Sequence, residues 1–355
     1  MLLRLMRAWL ALAGSVLLGL LAPGCRANAV CKVGGPINDP SNLTLRRNIL
    51  GLGLGQFCHE MTTHSAPLKL APDAPVIGRF YPGRCEQQIL DNGDIRVKFE
   101  GAGYAYTDLS RKVAFTSGAT IQYNDDFKCA DDNSIYAYFD TRTVSPPDFH
   151  VLQIELPGAN LVQGWVTPYA DNFGKQMVSG ELAKGFTVIQ GTDGSQDFDV
   201  GHLPLGQHPA HPLNLHGKDR VTIESQRTAV ASNERDFIGP IHVQDGGRAI
   251  YVTMQLAGQQ QVSVLLLPKA AGDAALQAMF GVAAVGPLPM PPMVADVVHY
   301  GMQYQRPFPV PAGTYYVVID NTPSGGQAAP PASLPFGVGG STATIDYAIQ
   351  IGDAP

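Results

Sequence analysis

The chain has 355 residues, 45% of them hydrophobic and only 15% charged, with 24 basic against 30 acidic side chains for a net charge of −6 at pH 7. That acidity, without a clustered Lys/Arg stripe, excludes a phosphate-tracking nucleic-acid surface. The 39 Gly and 28 Pro suit many turns between short strands.

Arg4 and Arg7 form a positive start, and Ala8–Ala22 follows without a charge. That run is shorter than the ~20 apolar residues of a spanning helix and fits the core of a cleavable export signal. Leu21-Ala22-Pro23-Gly24-Cys25 resembles a bacterial lipobox, which implies lipid attachment at Cys25, although Pro23 departs from the usual pattern. Ala27-Asn28-Ala29 offers a competing signal-peptidase site. Either route removes Cys25 from the thiol pool. Cys31, Cys58, Cys85 and Cys129 remain, and in an oxidising compartment they predict two disulfides with three connectivities open. The expected location is the cell envelope, as an outer-membrane lipoprotein or in the periplasm, with secretion as the alternative.

The sequence divides into a signal peptide at 1–24, a tether at 25–40, a disulfide-containing β-rich domain at 41–203, a His/Pro-containing linker at 204–217 and a β-sandwich at 218–355. Ser41 to His64 reads as a helix with Ser41 as N-cap, weakened by Gly51, Gly53 and Gly55. Strands are expected at Ile95 to Phe99, Tyr104 to Tyr106, Ala119 to Tyr123, Ile135 to Phe139 and Val151 to Leu156, with a turn at Asp91-Asn92-Gly93-Asp94. Asp171 to Lys184 has the spacing of a short amphipathic helix closed by Gly185. Phe186 to Ile189 and Phe198 to Val200 read as a hairpin. Seven sandwich strands follow: Arg220 to Glu224, Phe237 to Val243, Ala249 to Leu256, Gln261 to Leu267, Val297 to Gln305, Thr314 to Ile319 and Ala343 to Ile351. Long loops are expected at Ala270 to Pro292 and Pro323 to Gly340. The fold class is mainly β, with an N-terminal antiparallel sheet or barrel carrying one or two short helices and a C-terminal sandwich.

Within the last region, Phe308-Pro309-Val310-Pro311-Ala312-Gly313-Thr314-Tyr315-Tyr316-Val317-Val318-Ile319 resembles the penultimate-strand signature of bacterial pre-peptidase C-terminal-type sandwiches. The resemblance covers about residues 218–355 and implies an accessory module of secreted proteins, associated with adhesion or substrate binding, with no catalytic residues to carry over.

Two residue groups have ligand chemistry. His202, His208, His211 and His216 place four imidazoles in fifteen residues, a candidate zinc or copper site, although Pro209 and Pro212 prevent a pre-formed helical face and a merely polar linker explains the same composition. Asp193, Asp197 and Asp199 offer oxygens for calcium, as do Asp125, Asp126, Asp131 and Asp132, but neither stretch has EF-hand spacing and solvated acidic turns explain both. No cofactor is required by these patterns. No Gly-x-Ser-x-Gly or His-Glu-x-x-His is present. The leading expectation is a non-enzymatic binding or adhesion module for an envelope or extracellular protein or polymer, touching membrane through a lipid anchor only. A carrier of a lipid or other hydrophobic ligand in residues 41–203 is the alternative, and a secreted hydrolase is third.

Overall fold

The computed structural model describes residues 38–48, 58, 61–71, 73–107, 111–145, 148–155, 183–191, 196–209, 211–213, 215, 220–282, 284–328 and 342–355. The signal segment, Cys25, Cys31, the glycine-rich 51–55 stretch and nearly all of the 171–184 helix expectation lie outside those residues. Among the described residues no helix is long and apolar enough to cross a membrane.

The chain is mainly β. The first sheet holds β1 (Ala66–Leu68), β2 (Gly78–Ile89), β3 (Ile95–Tyr106), β4 (Lys112–Cys129), β5 (Ile135–Val144), β6 (Asp148–Ile154), β7 (Phe186–Gln190) and β8 (Gln196–Val200). Its order is β1-β2-β3-β4-β5-β7-β8, all antiparallel, with β6 added to β4. The length of β4 explains the branch: its C-terminal half pairs β5, and its N-terminal half pairs β6. Period-two alternation sets the faces, with Ile95, Val97 and Phe99 buried and Arg96 and Lys98 exposed. The β2–β3 turn is the expected one, with Gly93 at φ 87° and the Asn92 side chain accepting from Asp94 N at 3.1 Å. On the apolar face Phe80, Phe99, Phe115, Ile121, Tyr123, Phe149 and Phe186 form one cluster. Their rings pack on one another, with centroids 4.7 Å apart for Phe115–Phe149 and 5.1 Å for Tyr123–Phe186.

The N-terminal segment crosses toward that face. The structure corrects its cap: Asp39, not Ser41, is the N-cap, and its side chain accepts from Ser41 N at 2.8 Å ahead of Pro40–Asn42, with helical residues at 43–48 and 61–63. Asn38 pairs with the Phe127 backbone through both its amide groups, at 2.7 and 3.1 Å. Arg46 bonds Asp125 at 2.8 Å, and Met61 packs on the aromatic cluster. A Cys58–Cys85 disulfide staples the segment to β2. Such bonds persist in oxidising compartments. Cys129 is also disulfide-bonded, to a partner outside the described residues.

The second part is a sandwich of two four-stranded sheets. One has the order β14-β11-β16-β9 and the other β10-β15-β12-β13. The strands are β9 (Arg220–Val230), β10 (Arg235–Val243), β11 (Arg248–Ala257), β12 (Gln261–Pro268), β13 (Val294–His299), β14 (Gln303–Val310), β15 (Gly313–Asp320) and β16 (Ala343–Asp353). Ile250, Val252, Met254, Val264, Leu266, Val317, Ile345 and Ile349 fill the space between the sheets. Two expectations are corrected here. The single strand over Val297–Gln305 is two strands in different sheets, because Gly301, at φ 74°, turns the chain between them. The loop expected from Ala270 begins instead as a helix, α1 (Lys269–Gly281), whose Ala271, Ala275, Leu276 and Met279 are buried. Their i, i+4, i+8 spacing is helical, and the Gly- and Pro-rich surroundings obscured it.

The two parts share a core. Tyr104 and Tyr106 of β3 cluster with Phe237 of β10, Leu265 and Leu267 of β12, and α1. At the centre of the seam lies Arg79, fully buried, donating to Asp236 at 2.6 and 3.2 Å, to Glu224 at 3.2 Å and to the Tyr347 hydroxyl at 2.7 Å. Tyr104 also donates to Asp236, at 2.9 Å, and Tyr81 donates to the Phe237 carbonyl at 2.6 Å. Val76 adds a parallel bridge to Thr228 on the edge of β9. Described residues of the 204–217 stretch are tied down as well: Tyr136 donates to the Gln207 carbonyl at 2.9 Å and Ser225 to that of Leu213 at 3.4 Å.

Candidate functional site

Strand register places all four odd-to-even connections of the sandwich at one end. Val230 pairs with Ala343, Ala257 with Thr344, Gln261 with His299, and Ser263 with Asp320. The strand ends joined by the β9–β10, β11–β12, β13–β14 and β15–β16 connections therefore converge there. The first sheet covers the β9/β10 side, through Arg79, Tyr104 and Tyr106. Among the described residues the first sheet does not cover the β13/β14 side. On it the β13–β14 turn carries Tyr300 and Met302, with exposures of 58% and 66%. Tyr300 N donates to Gln260 O at 2.9 Å, locking this turn against the β11–β12 turn. A Cβ at Gly301 would meet nothing within 4 Å, so the tip projects. Behind it a polar latch closes the sandwich edge: Tyr304 donates to Asp296 Oδ2 at 3.1 Å, Arg306 pairs with the same carboxylate, and Asp296 Oδ1 caps Val297 N at 2.9 Å. An inward-turned carboxylate of this kind blocks strand addition at an edge.

The sequence had not singled out Tyr300 or Met302, because Val297–Gln305 read as one strand. One signal was available. Residues 257–268, 297–305 and 321–345 contain no Asp, Glu, Lys or Arg, and the described parts of all three stretches reach this end.

The histidines and aspartates singled out from sequence are only partly brought together. His202 Nε2 lies 3.0 Å from Asp140, and its ring tilts against Tyr138. His208 and His211 share Asp197, at 3.2 and 3.4 Å, one on each carboxylate oxygen. Asp197 belongs to the group considered for calcium, so here it serves imidazoles. Its hydrogen bond to His211 holds it below the usual carboxylate range, and the same bond raises the His211 imidazole above its ordinary value. His216 and Asp193 lie outside the described residues. Asp199 stands opposite Thr187 in the β7–β8 ladder. Asp125 is taken by Arg46, Asp126 faces Lys128 at 3.3 Å, and Asp132 caps Ser134 N at 2.9 Å. Among the described residues no group of three or more His, Cys, Asp or Glu converges as a metal site. Asp148 and His150 form an exposed pair at 2.8 Å.

A second set of ionisable groups, absent from the sequence reading, lines the seam. Lys112 Nζ donates to the carbonyls of Met279 and Val282, both at 2.7 Å, closing the C-terminal end of α1, and burial lowers it to about 8. Glu234 accepts from Ala231 N at 2.7 Å in the β9–β10 turn, and burial raises it to about 7. Glu155, also raised by burial, faces Arg111 at 3.9 Å. Arg235 holds Asp320 at 2.7 Å and donates to Thr322 at 3.0 Å. Of these, the Lys112 contacts join the first sheet to α1 across the seam.

No family model matches the chain, and no curated protein matches it. Solved structures give low superposition scores. The apo CBM1 of BiXyn10A is 12% identical over 48% of this chain and 81% of that one, with a TM-score of 0.17. A glycoside hydrolase family 43 arabinoxylan arabinofuranohydrolase from Bacillus subtilis, in complex with cellotetraose, is 13% identical over 81% and 69%, with a TM-score of 0.22. A structure of the infectious bursal disease virus Gt strain is 9% identical over 80% and 73%, with a TM-score of 0.21. At such scores none of these assigns a fold family or an activity to this chain.

Proposed function

We propose that the protein is an exported, non-enzymatic binding module of the cell envelope, tethered through Cys25, that engages an extracellular polymer or protein through the open connection end of its sandwich. The carrying observation is the projecting Tyr300–Met302 tip, with exposures of 58% and 66%, on the side of the sandwich that the first sheet leaves uncovered. Large apolar side chains held out on a rigid turn, away from any buried contact, are suited to recognition rather than stability. The seam supports this reading, because it fixes the sandwich against the first sheet and so presents the tip from a rigid body. The aromatic face of the first sheet is filled by its own rings in the described region, which favours a binding module over a carrier.

The test is co-sedimentation of the purified mature protein with isolated peptidoglycan sacculi and with whole cell envelopes. The wild type is expected to pellet with one of them. A Tyr300→Ala/Met302→Ala variant is expected to stay in the supernatant with an unchanged melting temperature. Equal pelleting of the variant would overturn the assignment of the tip. Turnover of a polysaccharide or peptide substrate by the wild type would replace binding with hydrolysis.

A further inference from the structure

We infer that the partner recognised at the connection end is an electroneutral polysaccharide; this rests on the binding function proposed above and names its chemistry. The argument starts from charge. The β11–β12 turn, the β13–β14 tip and the described ends of the β15–β16 connection carry no Asp, Glu, Lys or Arg in 257–268, 297–305, 321–328 and 342–345. The described acids and bases nearest along the chain are engaged elsewhere: Asp296 with Arg306 and Tyr304, Asp320 with Arg235, and Asp346 with Arg227 at 2.6 Å. Within these stretches a polyanion or polycation would meet no side chain of opposite charge.

The side chains that remain match a polyol. Tyr300 offers an exposed ring on which the apolar C–H face of a sugar can stack. Gln260 and Gln303 are exposed on either side of the turn that Tyr300 N and Gln260 O close. Each primary amide presents donor and acceptor together, the complement of a hydroxyl. The same glutamines argue against a bilayer. Inserting Tyr300 and Met302 into hydrocarbon would carry Gln260, Gln303 and the exposed Gln305 toward it, and unpaired amides are costly there. A protein partner is also less suited. A stable protein interface takes about 800 Å² from each side around a central apolar cluster, whereas this tip offers two separated side chains among amides. Repeated neutral sugars along a chain, each making a small contact, fit the geometry.

The experiment is affinity gel electrophoresis of the mature full-length protein through gels containing a neutral β-glucan, a neutral mannan, alginate or pectate, with flotation on phosphatidylcholine vesicles in parallel. Retardation is expected with a neutral polymer, none with the two polyanions, and no vesicle binding. The retardation should be unchanged between about 0.05 and about 0.5 M salt, because no charge is screened. Tyr300→Ala should weaken it at least about tenfold, Tyr300→Phe should retain it, and Gln260→Ala/Gln303→Ala should weaken it without altering the melting temperature. Retardation by alginate or pectate alone, salt-sensitive binding, equal retardation of Tyr300→Ala, or flotation with vesicles would each overturn the inference. So would the absence of retardation in every gel. If envelopes still pellet the wild type and not the tip variant, the binding end stands and only its glycan assignment fails.

Discussion

Arg79 is the strongest single lever on this fold, and replacing it with Met is the most informative perturbation. The guanidinium is fully buried and holds two carboxylates, Asp236 at 2.6 Å and Glu224 at 3.0 Å, together with the Tyr347 hydroxyl at 2.7 Å. Asp236 keeps the Tyr104 hydroxyl at 2.9 Å after the substitution, and Glu224 keeps that of Tyr347, but no cation remains between them. Breaking a buried pair by removing one partner costs ~3–5 kcal/mol, chiefly from the stranded charge. Against a total stability of ~5–15 kcal/mol, that is a large fraction. Urea unfolding followed by far-ultraviolet circular dichroism should show the midpoint falling while the slope holds. A cycle with Asp236→Asn should then show coupling of ~1–3 kcal/mol, since the second change removes one of the charges the first one stranded. A loss below about 1 kcal/mol for Arg79→Met, or additive single and double changes, would refute the claim that this ion cluster holds the two β parts together.

Three further outcomes follow from the same geometry. Burial raises Glu234 to about 7, so its ionisation opposes folding: stability should fall as pH rises from about 4.5 to about 7 and then level off. Glu234→Gln should flatten that limb of a pH series of chemical denaturation, and an unchanged slope would remove Glu234 as its source. The Asp197–His211 pair acts with opposite signs at its two ends. The depressed Asp197 stabilises above the ordinary carboxylate value of about 3.9, and the raised His211 stabilises below the ordinary imidazole value of about 6.5. Asp197→Asn should therefore cost about 1 kcal/mol at pH 5 and less above pH 8, and a pH-independent loss would contradict the pairing. Removing the Cys58–Cys85 bond, which closes a 27-residue separation, in a Cys58→Ser/Cys85→Ser variant should cost about 3 kcal/mol. In the unsubstituted protein, non-reducing peptide mapping should find Cys31 joined to Cys129, the pairing that remains within the four-cysteine set once Cys58 and Cys85 are paired.

Much of the β architecture was legible because its cause is local. The alternation in Ile95–Phe99 and in Ala343–Ile351 follows from the pleat, and the Asn92–Gly93 turn follows from a glycine's access to positive φ. Where the local signal was mixed, reading failed. Val297–Gln305 alternates well enough to pass for one strand, and only the φ of Gly301 divides it between two sheets. In α1 the buried Ala271, Ala275, Leu276 and Met279 had helical spacing, but glycines and prolines around them suggested a loop.

By itself, the sequence determined the mainly β class, most strand positions and the hairpin turn, since these depend on side-chain period and backbone sterics within a few residues. It also supplied the long charge-free stretches, a property of composition. Tertiary structure alone decided which residues matter together. Arg79 and Asp236 are 157 positions apart, and no local pattern links them. Asp197 was grouped by sequence with aspartates, yet the fold gives it to His208 and His211. Tyr300 and Met302 became a tip rather than part of a strand because register carries every odd-to-even connection of the sandwich to the same end. Pairing across sheets is set by burial and register over the whole chain, so the candidate site emerges only once the chain is folded.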